Sequence, residues 1–133
     1  RSTLFPYTTL FRSGSWIACA AGDLAVGHVS FRPETSCCVV MAAKGYPRTY
    51  PKGMVITGTE EAEKLPDVVV FQAGTKRDGA RIITTGGRVL GVTALGADLE
   101  KARARAYEAV ERIRFDNSYH RTDIACKGLG RKA

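Results

Sequence analysis

The 133-residue sequence predicts an α+β fold: a small, mostly antiparallel sheet with one long C-terminal helix packed on it. Short apolar stretches rich in β-branched residues occupy residues 36–96, and one helical pattern follows over residues 98–114. Strands that come first and a long helix that comes last favour α+β over alternating β-α-β units. The composition, 44% hydrophobic and 25% charged, suits one modest domain and excludes a disordered or fibrous chain.

The residues before the first strand predict the end of a helix and a loop. The sequence GSWIACAAGDL has one apolar side and contains Gly22 at the position where a C-cap glycine would stand. We therefore assign residues 14–35 to the end of a preceding helix plus a loop. Residues 36–126 form the predicted main domain, and residues 127–133 form a basic tail.

Five stretches predict the strands of the sheet, because they combine apolar and β-branched residues. They are SCCVVMAA (36–43), GMVITG (53–58), DVVVFQAG (67–74), ARIITTGG (80–87) and RVLGVTALG (88–96). The first is a continuous apolar run and predicts a buried strand, with the side chains of Cys37 and Cys38 on opposite faces. The last two predict a hairpin joined near Gly86 and Gly87. Between strands, TEEAEKL predicts one or two helical turns, and TKRDG predicts a turn with its Asp-Gly pair at the tip.

The long helix is predicted over about residues 98–114. Asp98 is a suitable N-cap, and Glu108 and Arg112 stand four residues apart in the order that favours an ion pair. The apolar stripe of this helix consists of Leu99, Ala102, Ala106, Ala109 or Val110, and Ile113. We expect a loop, a short extended piece around residues 123–125 and the basic tail to follow.

The net charge of +7 leaves three interpretations open, namely binding of nucleic acid, binding of phosphorylated ligands, or solubility alone. No recognition motif accompanies the charge, so nucleic acid is not expected as a partner. The four cysteines lack the spacing of metal ligands and predict reduced thiols in a cytoplasmic protein. No apolar run approaches the roughly 20 residues that a membrane-spanning helix needs, so no membrane association is expected.

Two smaller patterns have ordinary interpretations. The pair Gly86 and Gly87 resembles a phosphate-cradling loop, but no GxGxxG or GxxxxGK[ST] pattern surrounds it, and a hairpin turn is the preferred interpretation. His28 and His120 stand apart from any serine or carboxylate at a motif spacing, and we interpret both as surface histidines.

The most specific local pattern is the loop within VVMAAKGYPRTYPKG, residues 39–53. Its two prolines restrict φ, its glycines permit unusual turns, and its two tyrosines add rigid amphipathic surface. Lys44, Arg48 and Lys52 add positive charge. A stiff, basic loop at the end of a strand suits an anionic or hydroxyl-rich ligand, and it suits packing against another domain equally well.

Four motifs occur in an order that resembles the C-terminal domain of the phosphoribosylamine–glycine ligase family. They are VVMAAxGYPxxYxxG, the AGT of residues 73–75, GGRVLxVTALG, and the RxDI of residues 121–124. The resemblance covers roughly residues 16–125 and implies an ATP-grasp ligase of purine synthesis. It implies that the whole enzyme uses ATP and Mg²⁺ to join glycine to 5-phosphoribosylamine. The implied partners of this chain are the N-terminal and ATP-grasp domains of the same enzyme.

The resemblance also limits what this chain is expected to do alone. The nucleotide-binding lysines and the RxGDPE metal-binding segment of the family have no counterpart here, so the fragment is expected to be inactive alone. It is expected to hold no catalytic residue, metal ligand, ATP or Mg²⁺. Glu34, in the sequence RPET, is therefore not assigned as a magnesium ligand, and Gln72 stands where the family usually has His. A free-standing basic module that binds nucleic acid or a phosphorylated ligand is the alternative.

Seven positions that match the family motifs are the candidate site residues. We expect them to form a wall of the substrate site or an interface between domains, with Arg88 as the best candidate for contacting an anion. They are Lys44, Gly45, Tyr46, Pro47, Gly86, Gly87 and Arg88.

The first thirteen residues, RSTLFPYTTLFRS, have no coherent periodicity. They resemble translated sequencing-adapter DNA, and the alternative interpretation is a disordered terminus. The fold prediction therefore leaves out residues 1–13, and we expect the natural sequence to continue upstream into a larger protein.

Overall fold

The computed structural model describes residues 19–22 and 32–130, and it divides the chain into two compact units, residues 1–32 and 33–133. In the first unit, residues 19–21 are helical, and Gly22 has φ +70° while its N–H donates to the carbonyl of Cys19. The predicted C-cap glycine is therefore confirmed. The apolar residues predicted before it, His28 and residues 1–13 lie outside the described residues.

The second unit is built of strands followed by a long helix, as predicted. Its first half contains β1 (Thr35–Ala43), β2 (Val55–Ile56), α1 (Thr59–Glu63), β3 (Val68–Gln72) and β4 (Thr75–Asp78). Its second half contains β5 (Arg81–Thr84), β6 (Arg88–Gly96), α2 (Leu99–Arg112), β7 (Ser118–Tyr119) and α3 (Cys126–Leu129). All strand pairs are antiparallel, so the α+β fold with an antiparallel arrangement is confirmed.

The strands form two sheets where the sequence predicted one. A four-stranded sheet has the order β3-β6-β1-β7, and a three-stranded sheet has the order β2-β5-β4. Helix α2 packs on β6 and β1, and its small residues Ala102, Ala106 and Ala109 are fully buried against them. These alanines let the helix approach the sheet closely, and Val110 and Ile113 complete the predicted apolar stripe.

The start of α2 confirms the predicted cap. Asp98 has extended backbone geometry, and its Oδ1 accepts a hydrogen bond of 2.8 Å from the N–H of Lys101. At the other end of the helix, Arg112 and Glu108 form the predicted pair, 2.8 Å apart. Local spacing was sufficient for these predictions because every contact lies within four residues.

The predicted hairpin at Gly86 and Gly87 is wrong. β5 pairs with β2 and β4, whereas β6 pairs with β1 and β3, so the two glycines connect one sheet to the other. A hairpin does occur earlier in the chain, where β4 (Thr75–Asp78) pairs with β5 (Arg81–Thr84). Two adjacent glycines signal a change of direction, but they do not specify the strand with which the next segment pairs.

Two further predictions need correction. β1 is not buried on both faces: Cys37 and Val39 are buried, whereas Cys38 and Val40 are exposed, because α2 covers only one face of the sheet. The opposite orientations of Cys37 and Cys38 are confirmed. The extended piece expected around residues 123–125 is absent from this described stretch; strand β7 lies earlier, and helix α3 begins at Cys126.

Candidate functional site

The basic loop that follows β1, residues 44–53, is held to the domain by backbone hydrogen bonds at both ends. At its start, the N–H of Ala43 donates to Gly87 O over 2.8 Å, and the N–H of Lys44 donates to Asn117 O over 2.7 Å. At its end, the N–H of Gly53 donates to Thr84 O over 2.7 Å. The loop therefore connects to both sheets.

Inside the loop, a tight turn brings its two tyrosines together. Gly45 has φ +104°, and a Cβ there would overlap the carbonyl oxygen of Thr49, so only glycine fits without displacement. The rings of Tyr46 and Tyr50 meet edge to face with centroids 6.0 Å apart. Lys52 Nζ lies 5.8 Å from the Tyr50 ring centroid. The peptide bond between Tyr46 and Pro47 is cis.

The loop packs against the connection formed by Gly86 and Gly87. A Cβ added to Gly87 would overlap the ring of Tyr46, so the ring lies directly on the glycine backbone. The AGT motif, residues 73–75, also reaches this point. The N–H groups of Thr85 and Gly86 both donate to Gly74 O, and the N–H of Gly74 donates to Arg88 O over 2.9 Å. Three sequence motifs that are separate along the chain thus meet at one place.

These motifs border an open depression on the face of the four-stranded sheet opposite α2. Its volume is about 550 Å³, and the residues that line it include Val40, Tyr46, Phe71, Gly87, Arg88 and Gly91. In the strand register, Gly91 of β6 lies between Val40 of β1 and Phe71 of β3. Since glycine has no side chain, a space is left between the two apolar side chains, and Cys38 Sγ lies near it.

The depression combines apolar and cationic surface. Phe71 is 56% exposed, Tyr46 43% and Val40 42%, which are high values for large hydrophobic side chains. Arg88 is exposed and makes no ion pair with any residue in the described range 32–130. The site can therefore contact a ligand or surface that carries both apolar groups and negative charge.

The seven predicted residues fall into three groups. Tyr46, Gly87 and Arg88 line the depression. Gly45 and Gly86 shape the backbone next to it, and Lys44 and Pro47 are exposed on the loop without lining the depression.

Sequence reasoning missed six of the nine residues that line the depression: Val40, Phe71, Ala73, Gly74, Leu90 and Gly91. The alternation of side chains along β1 and β3 could have placed Val40 and Phe71 on outward faces. The register that sets them beside Gly91 could not be predicted from either strand alone.

Away from the depression, a cluster of polar side chains holds the RTDI segment, residues 121–124, against α2. Arg103 donates from Nε to Ile124 O and from Nη2 to Thr122 O, each over 2.8 Å, and its guanidinium lies 4.7 Å from the ring centroid of Tyr107. The Tyr107 hydroxyl donates to Arg121 O over 2.7 Å. These bonds satisfy backbone groups of the segment, so we interpret the cluster as structural.

The charged pair inside this segment is bidentate. Arg121 donates from Nε and Nη2 to the two carboxylate oxygens of Asp123. These side-chain hydrogen bonds hold the pKa of the Asp123 carboxyl below its usual value, and they raise the pKa of Arg121. Both groups are exposed, and neither faces the depression.

Cysteine, histidine and acidic residues do not form a metal centre in the part of the chain that the structure describes. No group of three or more such side chains there could hold a metal ion. Burial raises the pKa of the Cys37 thiol, which favours its neutral form. His120 lies against Tyr107 with ring centroids 6.0 Å apart. No helix within the described residues is long and apolar enough to cross a membrane.

The fold defines a small α+β domain with antiparallel sheets and one long helix, and comparison with known proteins identifies its family. Residues 36–127, more than half of the chain, match the family described as phosphoribosylglycinamide synthetase, C domain. The chain belongs to this family.

Individual relatives agree with this assignment. The chain is similar to the phosphoribosylamine–glycine ligase of Rhodopirellula baltica, with 48% identity over 77% of this chain and 24% of the relative. It is 50% identical to the enzyme of that name from Phenylobacterium zucineum, over 86% of this chain and 27% of the relative. The chain therefore spans about a quarter of the length of these relatives.

A solved structure shows the same fold. The crystal structure of the phosphoribosylamine–glycine ligase from Thermotoga maritima matches with a TM-score of 0.69 and 30% sequence identity. The match covers 86% of this chain and 27% of the solved chain.

Proposed function

We propose that this chain serves as the C-terminal domain of an enzyme that joins glycine to 5-phosphoribosylamine with conversion of ATP to ADP and phosphate. The observation that carries the proposal is the family match over residues 36–127, together with relatives of the same name at 48% and 50% identity. The packing of three motifs around the depression supports it, because residues scattered along the chain converge on one exposed surface.

The ATP and Mg²⁺ of the proposed reaction belong to the enzyme as a whole. The described residues offer no set of ligands suited to Mg²⁺, which prefers several carboxylate, phosphate and water oxygens. We therefore assign no metal ligand among the described residues and derive no chemical step through the metal. A cytoplasmic location accompanies the proposal, and the four free thiols suit a reducing compartment.

The depression is the part of this domain that we place next to the substrates or the remaining domains. Tyr46, Gly87 and Arg88 form its motif-derived wall, and Gly45 and Gly86 hold that wall in place. Arg88 supplies a planar guanidinium with several donors, which suits a carboxylate or a phosphate.

A domain exchange tests the proposed function. The matched C-terminal segment of the Phenylobacterium zucineum ligase would be replaced by residues 36–127 of this chain. We expect the chimera to release ADP only when glycine and phosphoribosylamine are both present. The recipient without any C-terminal segment is the control, because it shows how much turnover the other domains support.

The outcome is decided by comparing these two proteins at equal concentration. Both would first be checked by circular dichroism for folded structure. A folded chimera that releases no more ADP than the truncated recipient would contradict the proposed function.

A further inference from the structure

Within the described part of the chain, the two sheets end in the edge strands β3, β7, β2 and β4, and the first three are covered or very short. Along β3, helix α1 packs beside the strand, and the Glu63 carboxylate accepts a hydrogen bond of 3.1 Å from the Val70 N–H. β7 and β2 contain two residues each, and just after β2 the backbones of Thr57 and Arg114 exchange bonds of 2.9 and 3.0 Å. Such features keep an edge from pairing with a foreign strand.

Strand β4, Thr75–Asp78, is open by comparison. It pairs with β5 on one side, and no backbone group within residues 32–130 bonds to its other side. Thr84, the partner of Thr75 in the register, directs its own N–H and C=O toward residues 53 and 54. Because bonded and non-bonded pairs alternate along an antiparallel ladder, the N–H and C=O groups of Thr75 and Arg77 point away from β5. These groups are available to an added strand.

Positive charge accompanies this open edge. The β4–β5 hairpin, residues 75–84, contains three exposed cations, Lys76, Arg77 and Arg81, and its single carboxylate is Asp78. None of the three cations takes part in an ion pair within residues 32–130. Consecutive side chains of a strand point to opposite faces, so Lys76 and Arg77 place one cation on each face of the edge.

We propose that the open edge of β4 binds an extended, acidic peptide segment of another protein, which pairs with Thr75–Asp78 as an additional strand. This interaction goes beyond the proposed function and does not depend on it. The outward backbone groups of Thr75 and Arg77 supply the hydrogen bonds of the added strand. Two consecutive acidic residues in the partner match Lys76 and Arg77, one on each face.

The charges favour a foreign segment over a second copy of this chain. Pairing of two β4 edges brings Lys76 and Arg77 of one copy next to the same residues of the other, and like charges placed opposite each other destabilise a strand pair. A nucleic acid is disfavoured for a different reason. Its phosphates suit the cations, but they offer no donor to the outward C=O groups of Thr75 and Arg77.

Titration of the full 133-residue chain with a hexapeptide of sequence TVEEVT, blocked at both ends and followed by amide NMR, tests this proposal. We expect the largest shifts in residues 75–84, and we expect none with the peptide TVKKVT. A third peptide is TVEEVT methylated on the backbone nitrogens of both glutamates, which keeps the charges and loses two donors. Equal shifts with the methylated and unmethylated peptides would overturn the proposal, because attraction to charge alone would then explain them.

Two substitutions at one position separate charge from backbone pairing in the protein itself. Arg77→Gln and Arg77→Pro both remove the cation, and only proline also removes the outward N–H. Since that N–H is not bonded to β5, proline at this edge position leaves the hairpin ladder intact. Arg77→Gln should weaken binding of TVEEVT about two- to fivefold, the range of one exposed ion pair, and Arg77→Pro should abolish it.

Equal weakening by the two variants would contradict strand pairing. The amide spectrum without peptide shows whether each variant keeps its fold. If Arg77→Pro changes the spectrum outside the hairpin, the comparison of methylated and unmethylated peptides decides the question.

Lys127→Gln is the matched control, because Lys127 is an exposed cation in α3, outside the hairpin. It should bind TVEEVT as the unmodified chain does, and weakening equal to that of Arg77→Gln would reject a site at β4. Dilution of the chain without peptide tests the second copy: concentration-dependent shifts in residues 75–78 would overturn the proposal in favour of pairing between copies. A single-stranded oligonucleotide that binds residues 75–84 more tightly than TVEEVT, with a steep salt dependence, would overturn it in favour of nucleic acid.

Discussion

Gly45 and Gly53 stand near the two ends of the basic loop, and both have positive φ, but their surroundings differ. Gly45 has φ +104°, and its α-carbon faces the carbonyl of Thr49. Gly53 has φ +81° and faces open space. The first position is restricted by both backbone conformation and contact, and the second by conformation alone.

Gly45→Ala should therefore destabilise the chain more than Gly53→Ala. The second substitution should lower the free energy of unfolding by about 1–2 kcal/mol, the usual cost of a left-handed residue with a Cβ. The first should lower it further, because the new methyl group overlaps Thr49. Urea unfolding of the full chain followed by circular dichroism measures both values. Equal losses would mean that the turn of Gly45 against Thr49 does not contribute to stability.

The N-cap of helix α2 makes the stability of the folded chain depend on pH. The N–H of Lys101 donates to the Asp98 carboxylate, and this backbone hydrogen bond is the main cause that lowers the pKa of Asp98. A carboxyl with a lower pKa in the folded state stabilises that state at pH values above its unfolded pKa. This contribution is lost as the pH falls through the folded pKa, because the proton removes the charge that the helix N-terminus favours.

Asp98→Ala should lower the melting temperature at pH 7, and the difference from the unmodified chain should shrink below about pH 4, near the ordinary pKa of an aspartate. Asp98→Asn keeps a capping acceptor and should restore most of the loss at neutral pH. Glu111→Ala removes an exposed carboxylate of the same helix without removing a cap, and should change little. Thermal melts at pH 7 and pH 3 provide the comparison. A loss that stays constant across this range would contradict the cap as its source.

On the scale of the whole molecule, the four-stranded sheet is covered by α2 on one face only. Val40 and Phe71 flank Gly91 on the other face and are about half exposed. Exposed apolar surface of this kind usually marks a place where another protein surface binds. The chain spans about a quarter of the length of the relatives that it matches.

The 133-residue chain alone should therefore self-associate through this face, and Phe71→Glu should shift it toward the monomer. The control is Leu129→Glu, which places the same charge at a large, 42% exposed hydrophobic residue in α3, away from the sheet. Sedimentation velocity over a range of protein concentrations measures the effect. A chain that stays monomeric at high concentration would contradict the prediction, and so would equal effects of the two variants.

The candidate site was predicted only in part from the sequence. The residues that were predicted differ from those that were missed for a physical reason. The loop of residues 44–53 and the pair Gly86 and Gly87 stood out because proline, glycine and charge are local signals. Their contact through Tyr46 and Gly87 joins residues about forty positions apart, and no local pattern specifies it. Phe71 was missed for the same reason, since its place in the site depends on the register of β3 with β6.

The sequence by itself determined the α+β class, the cap and apolar stripe of α2, the opposite orientations of Cys37 and Cys38, and the ordered family motifs. Each of these depends on residue type and on spacing of a few positions, and neither depends on contacts between distant segments. Only the tertiary structure decided that Gly86 and Gly87 connect two sheets and that β1 is open on one face. Strand pairing and burial depend on which distant segments meet, and their free energy comes from contacts that no single segment contains.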